Sequence, residues 1–390
     1  MAKRKTKADR VAELHNLADL TSQAAMTPGP GYQQVVLQAS ETIDQFASSM
    51  ARKAEAQKPA VLVLPDIATR QELGIARTRQ SVRQGQDVYL PIWSSDNVAL
   101  PDAFLRSALF AASSSIQKLN DRVLESDPSL LVADEEVATL SNISLRLSGY
   151  RLCQYDRQVY AACLEYYRER PLASSESNLY IRTTLHQFAK QMGGTHNSKT
   201  YLAILVSLLR LSHARLRLRY FELTVEVPRL LSVSFGEAGP RGALEGGELL
   251  LMVPQTVAEL FGEARWSQVS KVASDYEGLR GWLASFYASH SKPRWIPLET
   301  LYKLSGYESR MDNFRESLDK ALEKLKSPET PETVRVRDYS FGKDDKKDKI
   351  KFKNMSKHKS KVYVVRHAWD RSAEVKSKTL SQPLDPQESV

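Results

Sequence analysis

The chain reads as α+β, with one pattern of helix, strand and paired helices used twice. Three observations predict this. Two stretches, about 141–254 and 279–367, each run from an amphipathic helix through a short extended segment into two more helical stripes. Each is followed by strand patterns studded with Arg or Lys. The flanks lack a sustained apolar period, which predicts a mostly disordered or helical N-terminal region and a polar C-terminal tail. The expected divisions are 1–60 (basic and largely flexible), 61–130 (an extension), 131–262 and 263–371 (two domains) and 372–390 (a disordered tail).

In chain order, Lys3 to Arg10 has no apolar segment after it and reads as a basic arm, not a signal peptide. Pro28-Gly29-Pro30-Gly31 then breaks two weak helical stretches. In the first module, Tyr155, Val159, Ala162, Cys163 and Tyr166 mark the leading helix, and Asn178 to Ile181 reads as a short strand. Leu185, Phe188, Ala189 and Met192 form the next stripe, Gly193-Gly194 the turn, and Ser198 to Leu211 the candidate recognition helix. Leu202, Ile204, Leu205, Val206, Leu208 and Leu209 crowd that helix, leaving Asn197, Ser198, Lys199 and Tyr201 to meet a ligand. Its excess apolar surface, beside a β-edge at Leu249 to Val253, predicts a self-associating face. Arg215, Arg217 and Arg219 alternate with Leu216 and Leu218, placing three guanidinium groups on one strand face as the start of a wing. Gly236, Gly239, Gly242, Gly246 and Gly247 read as its mobile tip.

The second module is cleaner. Leu279, Trp282, Leu283, Phe286 and Tyr287 give a helix with one buried face. Pro293 and Pro297 bracket an extended segment. Leu298, Leu301 and Tyr302 start the next stripe, which Gly306 can end in a left-handed cap. Ser309 and Asp312 read as a capping box for a third helix with its core at Met311, Phe314, Leu318, Ala321, Leu322 and Leu325. Ser309, Arg310, Asn313, Ser317, Lys320 and Lys324 lie at its start or mostly off that stripe, where donors suit base edges and phosphates. Arg335 and Arg337 then alternate with Val334 and Val336, and further strand patterns follow near Ile350 to Lys353 and Lys361 to His367. Between Lys343 and Lys361 nine Lys face three Asp, a net +6, with Lys349, Lys351 and Lys353 in the expected hairpin. A helix-turn-helix followed by a basic hairpin is a winged helix, and here the sequence predicts two in tandem.

The formal charge of +9 favours a polyanionic partner. No apolar run is long enough for a membrane span. Cys153 and Cys163 fall ten apart in one predicted helix, which implies neither a disulfide frame nor a zinc site and suits a reducing cytoplasm. Gly193 to Thr200 imitates a phosphate loop, but Ser198 stands where Gly should precede Lys199 and no buried strand leads into it. Leu130 to Glu135, an imitation of a metal-binding carboxylate strand, lies on the wrong side of that loop. The seven His residues are scattered, His186 and His290 reading as helix-surface or helix-end residues. No enzyme activity, metal or cofactor is expected.

Several blocks in one order resemble the TrfA-type plasmid replication initiators: Arg106-Ser107-Ala108-Leu109-Phe110, Asn197-x-Lys199-x-Tyr201 with Leu208-x-Arg210-Leu211, Tyr287-Ala288-Ser289-His290 and Leu298-Glu299-Thr300. The resemblance spans roughly residues 90 to 330. The Gly-rich insert, the Lys-rich wing and the tip of the second recognition helix depart from it, so base preference does not carry over. It implies a non-enzymatic bacterial protein that binds double-stranded iteron repeats at a plasmid origin, helps open AT-rich DNA, and recruits the host replicative helicase and host initiator. It also implies a monomer-dimer equilibrium and a Gln-containing peptide that docks on the sliding clamp, here Gln86 to Leu90. The alternative is a winged-helix repressor that binds operator DNA and recruits no helicase.

Overall fold

Two three-stranded antiparallel sheets with one strand order organise the computed structural model. The structure describes residues 62–63, 70–140, 143–172, 180–220, 223–236, 239–343 and 360–368. The basic arm, the Pro28 to Gly31 break, the tail, Asn178 and the strand pattern carrying Lys349, Lys351 and Lys353 lie outside the described residues.

The extension contains β1 (Leu62–Val63), α1 (Arg70–Arg77), β2 (Val82–Gln84), β3 (Asp87–Tyr89), β4 (Asn97–Pro101), α2 (Asp102–Leu105), β5 (Phe110–Ala111) and α3 (Asn120–Leu124). Then come β6 (Leu131–Val137), β7 (Ile143–Tyr150), β8 (Leu152–Cys153), α4 (Gln154–Glu165), β9 (Ile181–Thr183), α5 (Leu185–Gln191), α6 (Ser198–His213), β10 (Arg215–Tyr220), β11 (Leu223–Val227), β12 (Ser232–Phe235), α7 (Gly239–Leu244) and β13 (Leu249–Met252). The remainder is β14 (Trp266–Ser270), α8 (Lys271–Ser274), α9 (Gly278–Ala288), β15 (Trp295–Pro297), α10 (Leu298–Ser305), α11 (Met311–Lys326), β16 (Val336–Lys343) and β17 (Ser360–Arg366).

The first module runs α4, β9, α5, α6, β12, β13, and the second α9, β15, α10, α11, β16, β17. The sheet orders are β12-β13-β9 and β15-β17-β16. In both, the last strand lies between the first and the second, so each hairpin joins a short strand placed before the paired helices. That is winged-helix topology in each module, within an α+β chain. The helices form where the apolar period demands. Leu279, Trp282, Leu283, Phe286 and Tyr287 of α9 are all buried, and Trp282 stacks on Phe286 at 4.7 Å.

One element of the duplication is broken. Between α6 and β12 the chain inserts the hairpin β10–β11, which joins β6 and β7 in an antiparallel sheet of order β11-β10-β7-β6. Arg215, Arg217 and Arg219 therefore belong to this added sheet and not to the wing. The wing of the first module is β12–β13, and part of its Gly-rich connection folds into α7, with Ala243 buried; a mobile tip is not what residues 239–244 form.

Three further expectations change. The first-module strand is Ile181–Thr183, where Ile181 and Thr183 face inward towards β13 and the core. Cys153 lies in β8 ahead of α4, not within the helix; it and Cys163 are buried free thiols. Burial pushes the Cys153 thiol up to about 12. Most important, Ile204, Leu205, Val206, Leu208 and Leu211 of α6 are buried inside the molecule, packed against α4, α5, α3 and β7. β13 is the central strand of its sheet. The predicted self-associating face thus disappears, because the added sheet and the extension surround a helix that a minimal winged helix would leave half open.

The extension and the segment between modules form the connection. β14 pairs with β4 in register from Trp266↔Pro101 to Ser270↔Asn97, and β5 pairs in parallel with β8. Apolar side chains from Val88 to Val364 make one continuous core across both modules.

Candidate nucleic-acid interface

In the second module Gly306, at φ 59°, ends α10 in a left-handed cap; an alanine there would put its Cβ 2.7 Å from that of Ala111. The turn into α11 is pinned by Tyr302, Tyr307 and Phe314, with Phe314 5.3 Å from each tyrosine ring. Tyr302 donates to the Ser309 carbonyl at 3.0 Å. The N-cap of α11 is Arg310, with no side-chain cap bond. The chain thus enters the helix one residue later than the expected Ser309–Asp312 box requires.

Arg310, Asn313, Lys320 and Lys324 are exposed and recur at helical spacing along one side of α11. Ser317, on the same side, is half-buried and bonded to the Tyr307 hydroxyl at 2.7 Å. Lys320 is paired with Glu316 at 2.5 Å. Residues 311–326 carry four acidic and four basic side chains, so this helix offers hydrogen-bonding pattern more than net charge. Its other exposed side faces the wing. The Tyr339 hydroxyl lies 2.8 Å from Asp319 and 2.7 Å from Glu323, and Arg315 sits 5.5 Å over Phe341. Burial, then the two carboxylates, raise the Tyr339 pKa. Arg335 donates to the Thr330 and Pro328 carbonyls at 2.9 and 2.6 Å, holding the loop before the wing. Arg337 is exposed at the β-bulge between Val336 and Asp338.

In the first module the turn before α6 is exposed from Gly193 to Lys199. Asn197 caps the helix, its Oδ1 accepting from Thr200 N at 2.8 Å while its Nδ2 donates to Thr195 at 3.1 Å. Its amide is thus engaged in the fold. Ser198 and Lys199 remain at the surface. The Tyr201 hydroxyl meets His186 Nδ1 at 3.0 Å, and the His186 and His196 rings lie 4.8 Å apart. Sequence spacing did not reveal this grouping, since the two His residues come from different elements.

Arg215, Arg217 and Arg219 do share one exposed face, with Arg146 opposite Arg217. Acids share that face. Asp134 pairs with Arg146 at 2.9 Å and Arg217 at 3.5 Å, and Glu226 lies 3.5 Å from Arg217. The face is a mixed ionic lattice, not a plain stripe of positive charge.

Two buried arginines fix how the helices sit. Asp156 of α4 accepts from Ser207 at 2.5 Å and Arg210 at 3.1 Å, both on α6, and its other oxygen accepts from Cys153 N at 2.8 Å. Arg210 continues to the Ile116 carbonyl at 3.0 Å. Arg157, on the next position of α4, bonds to Ser285 of α9 and reaches the carbonyls of Gly281 and Ser274 at 3.4 and 3.5 Å. Burial lowers the Arg157 pKa to about 10, with Asp275 opposing. The only sequence signal was a charge inside a largely apolar run.

The peptide expected to dock on the clamp, Gln86 to Leu90, has its apolar residues turned into the core. Val88 and Leu90 are fully buried, Val88 bridges Leu172, and the Arg77 guanidinium lies 4.8 Å over the Tyr89 ring. The segment covers the core as strand β3. Among the described residues no group of three His, Cys, Asp or Glu could hold a metal ion, and no helix is long and apolar enough to cross a membrane.

No family model and no curated protein matches the chain. Two solved structures are similar in part. A crystal structure of RctB domains 2–3 has 10% identity, covers 63% of this chain and 96% of that one, with a TM-score of 0.40. A selenomethionine derivative of domains 2 and 3 of RctB has 11% identity, covering 60% and 90%, with a TM-score of 0.37. At these scores the likeness carries no weight for function, and the topology above stands on its own strand orders.

Proposed function

We propose that the chain is a non-enzymatic DNA-binding protein that initiates replication at directly repeated duplex sites. The observation that carries this reading is the duplicated topology, with the turn into each second paired helix exposed and polar. Recognition comes from Arg310 and Asn313 in the second module and from Ser198 and Lys199 in the first, where side chains at a helix start can meet base edges and phosphates. Helicase recruitment, opening of AT-rich DNA and the plasmid setting rest on the TrfA-type resemblance. The test is genetic and direct. The gene with its flanking DNA is placed on a circle lacking an origin, in a bacterial host. Autonomous replication that requires the intact gene is the expected result. Binding to the flanking DNA that lowers transcription without supporting replication would assign the chain to the repressors instead.

A further inference from the structure

Between the extension, the added sheet and the turn into α11 lies a cavity of about 490 Å³ that duplex reading does not use. Protein interiors hold few hollows larger than a water molecule, and this volume falls in the range of small-molecule sites. A break in the sheet builds it. Strand β7 should turn alternate residues inward, yet Leu147 and Tyr150, three positions apart, are both buried and both on the cavity wall. Opposite them β6 carries an extra residue between Val132 and Glu135, with Asp134 at φ 52°, and Gly149 stands at φ 125°. Together these irregularities reset the alternation. Glycine is required at position 149, because a Cβ there would run into the His213 carbonyl at the end of α6. The Tyr150 ring is held edge-on to the His213 ring at 5.4 Å.

Leu109, Ile116, Leu119, Val123 and Leu152 make the wall largely apolar. Tyr150 is 4% exposed, and its hydroxyl has no hydrogen-bond partner among the described residues, so it offers an occupant one donor and one acceptor. The charges on the wall do not balance. Arg210 is answered by Asp156 at 3.1 Å, and Arg151 by Glu135 at 2.7 Å. Glu136 and Glu308 also line the cavity and have no ion pair among the described residues. Carboxylates beside low-dielectric walls draw a cation more strongly than carboxylates in open water.

We propose that this cavity binds a small organic cation, with its apolar body against the leucine wall, a polar group bonded to the Tyr150 hydroxyl, and its charge against Glu136 and Glu308. Gly306 and Glu308 also belong to the turn into α11, and Ser115 of the extension donates to the Glu308 carboxylate. An occupant therefore touches the turn that places Arg310, which links ligand binding to duplex binding. The linkage rests on the DNA-binding reading; the site itself does not.

The full-length chain is titrated calorimetrically with three cage molecules of similar size: 1-adamantylmethylammonium, its 3-hydroxy derivative and adamantane-1-carboxylate. Both cations should bind one per chain and about tenfold or more tighter than the carboxylate, the hydroxylated cation the tighter of the two. Glu308→Gln should weaken both cations roughly fivefold without weakening the carboxylate, and Tyr150→Phe should remove the advantage of the hydroxyl. Ala138→Phe, which fills the cavity, should abolish binding. Thermal melts identify any variant that unfolds, and in that case Glu308→Gln and Tyr150→Phe decide. No binding of either cation at millimolar concentration, equal affinity for cation and carboxylate, or binding unchanged in folded Ala138→Phe would overturn the proposal. The cages are not flat and cannot intercalate, so the saturating hydroxylated cation can be added to a duplex titration, where a shift in affinity of about fivefold or more is expected. Unchanged duplex affinity at saturation would overturn the linkage. Protein that binds the cations but no duplex from beside its gene sinks the functional reading and leaves the site standing.

Discussion

Asp156 shows most clearly how single residues hold this architecture. Its carboxylate is fully buried and receives Ser207, Arg210 and the Cys153 amide. Replacing it with alanine leaves the Arg210 charge without its partner in the interior, a change that costs roughly 3–5 kcal/mol. Denaturant unfolding of Asp156→Ala should show that loss; a change below about 1 kcal/mol would mean that the two helices are held by apolar packing alone. His290 supplies a pH-dependent contribution. Burial lowers its pKa to about 4; the bond to the Phe286 carbonyl opposes this, while Arg106, Arg294 and Arg366 reinforce it. The 2.8 Å contact to that carbonyl makes Nδ1 the donor, so Nε2 accepts from Arg294 at 2.9 Å. The unfolded imidazole titrates near 6.5. A depressed folded value means that the unfolded chain takes up the proton first, so stability is present above about pH 6.5 and is lost as pH falls towards 4. The loss is about 2–3 kcal/mol by linkage. Stability curves of His290→Gln should lack most of this acid slope, and an unchanged slope would assign it to other groups.

At the scale of elements, the two candidate recognition helices, α6 and α11, have different constructions. α11 has an open polar side, while α6 is enclosed beyond its first turn. Discrimination between sequences should therefore reside more in the second module. Arg310→Ala and Asn313→Ala are expected to lower the ratio of specific to nonspecific binding, each by roughly 1–3 kcal/mol for a lost bidentate contact, with little effect on nonspecific affinity. Competition binding measures this, and an unchanged ratio in both variants would remove α11 as the reader. Most helices were legible in the sequence because they are amphipathic and local: the α9, α10 and α11 stripes appear where the period placed them, and Gly306 caps as its position implied. The added sheet was not legible. β10 pairs with β7 across some seventy intervening positions, and an alternating Arg-Leu strand looks the same in a wing as in an inserted hairpin. The start of α11 differs by one residue from the Ser309–Asp312 spacing, since Arg310 is the N-cap. The buried roles of Arg157 and Arg210 were not legible because a charge on a helix ordinarily faces water.

For the whole molecule, what matters is that the two modules are joined without a loose linker. β14 pairs with β4, Arg157 ties α4 to α9, and Arg106 donates to Ser289 at 3.0 Å. Modules held in this way should engage one duplex in a fixed phase, with successive major-groove faces separated by about 10.5 base pairs. Hydroxyl-radical protection of a single bound repeat by the monomeric protein tests that claim most directly. Two protected patches on the same face of the duplex, about one helical turn apart, are predicted, with the patch assigned to the second module weakened in Arg310→Ala. A single patch unaffected by that substitution, or two patches whose spacing varies from repeat to repeat, would contradict a rigid pair of winged helices reading one site.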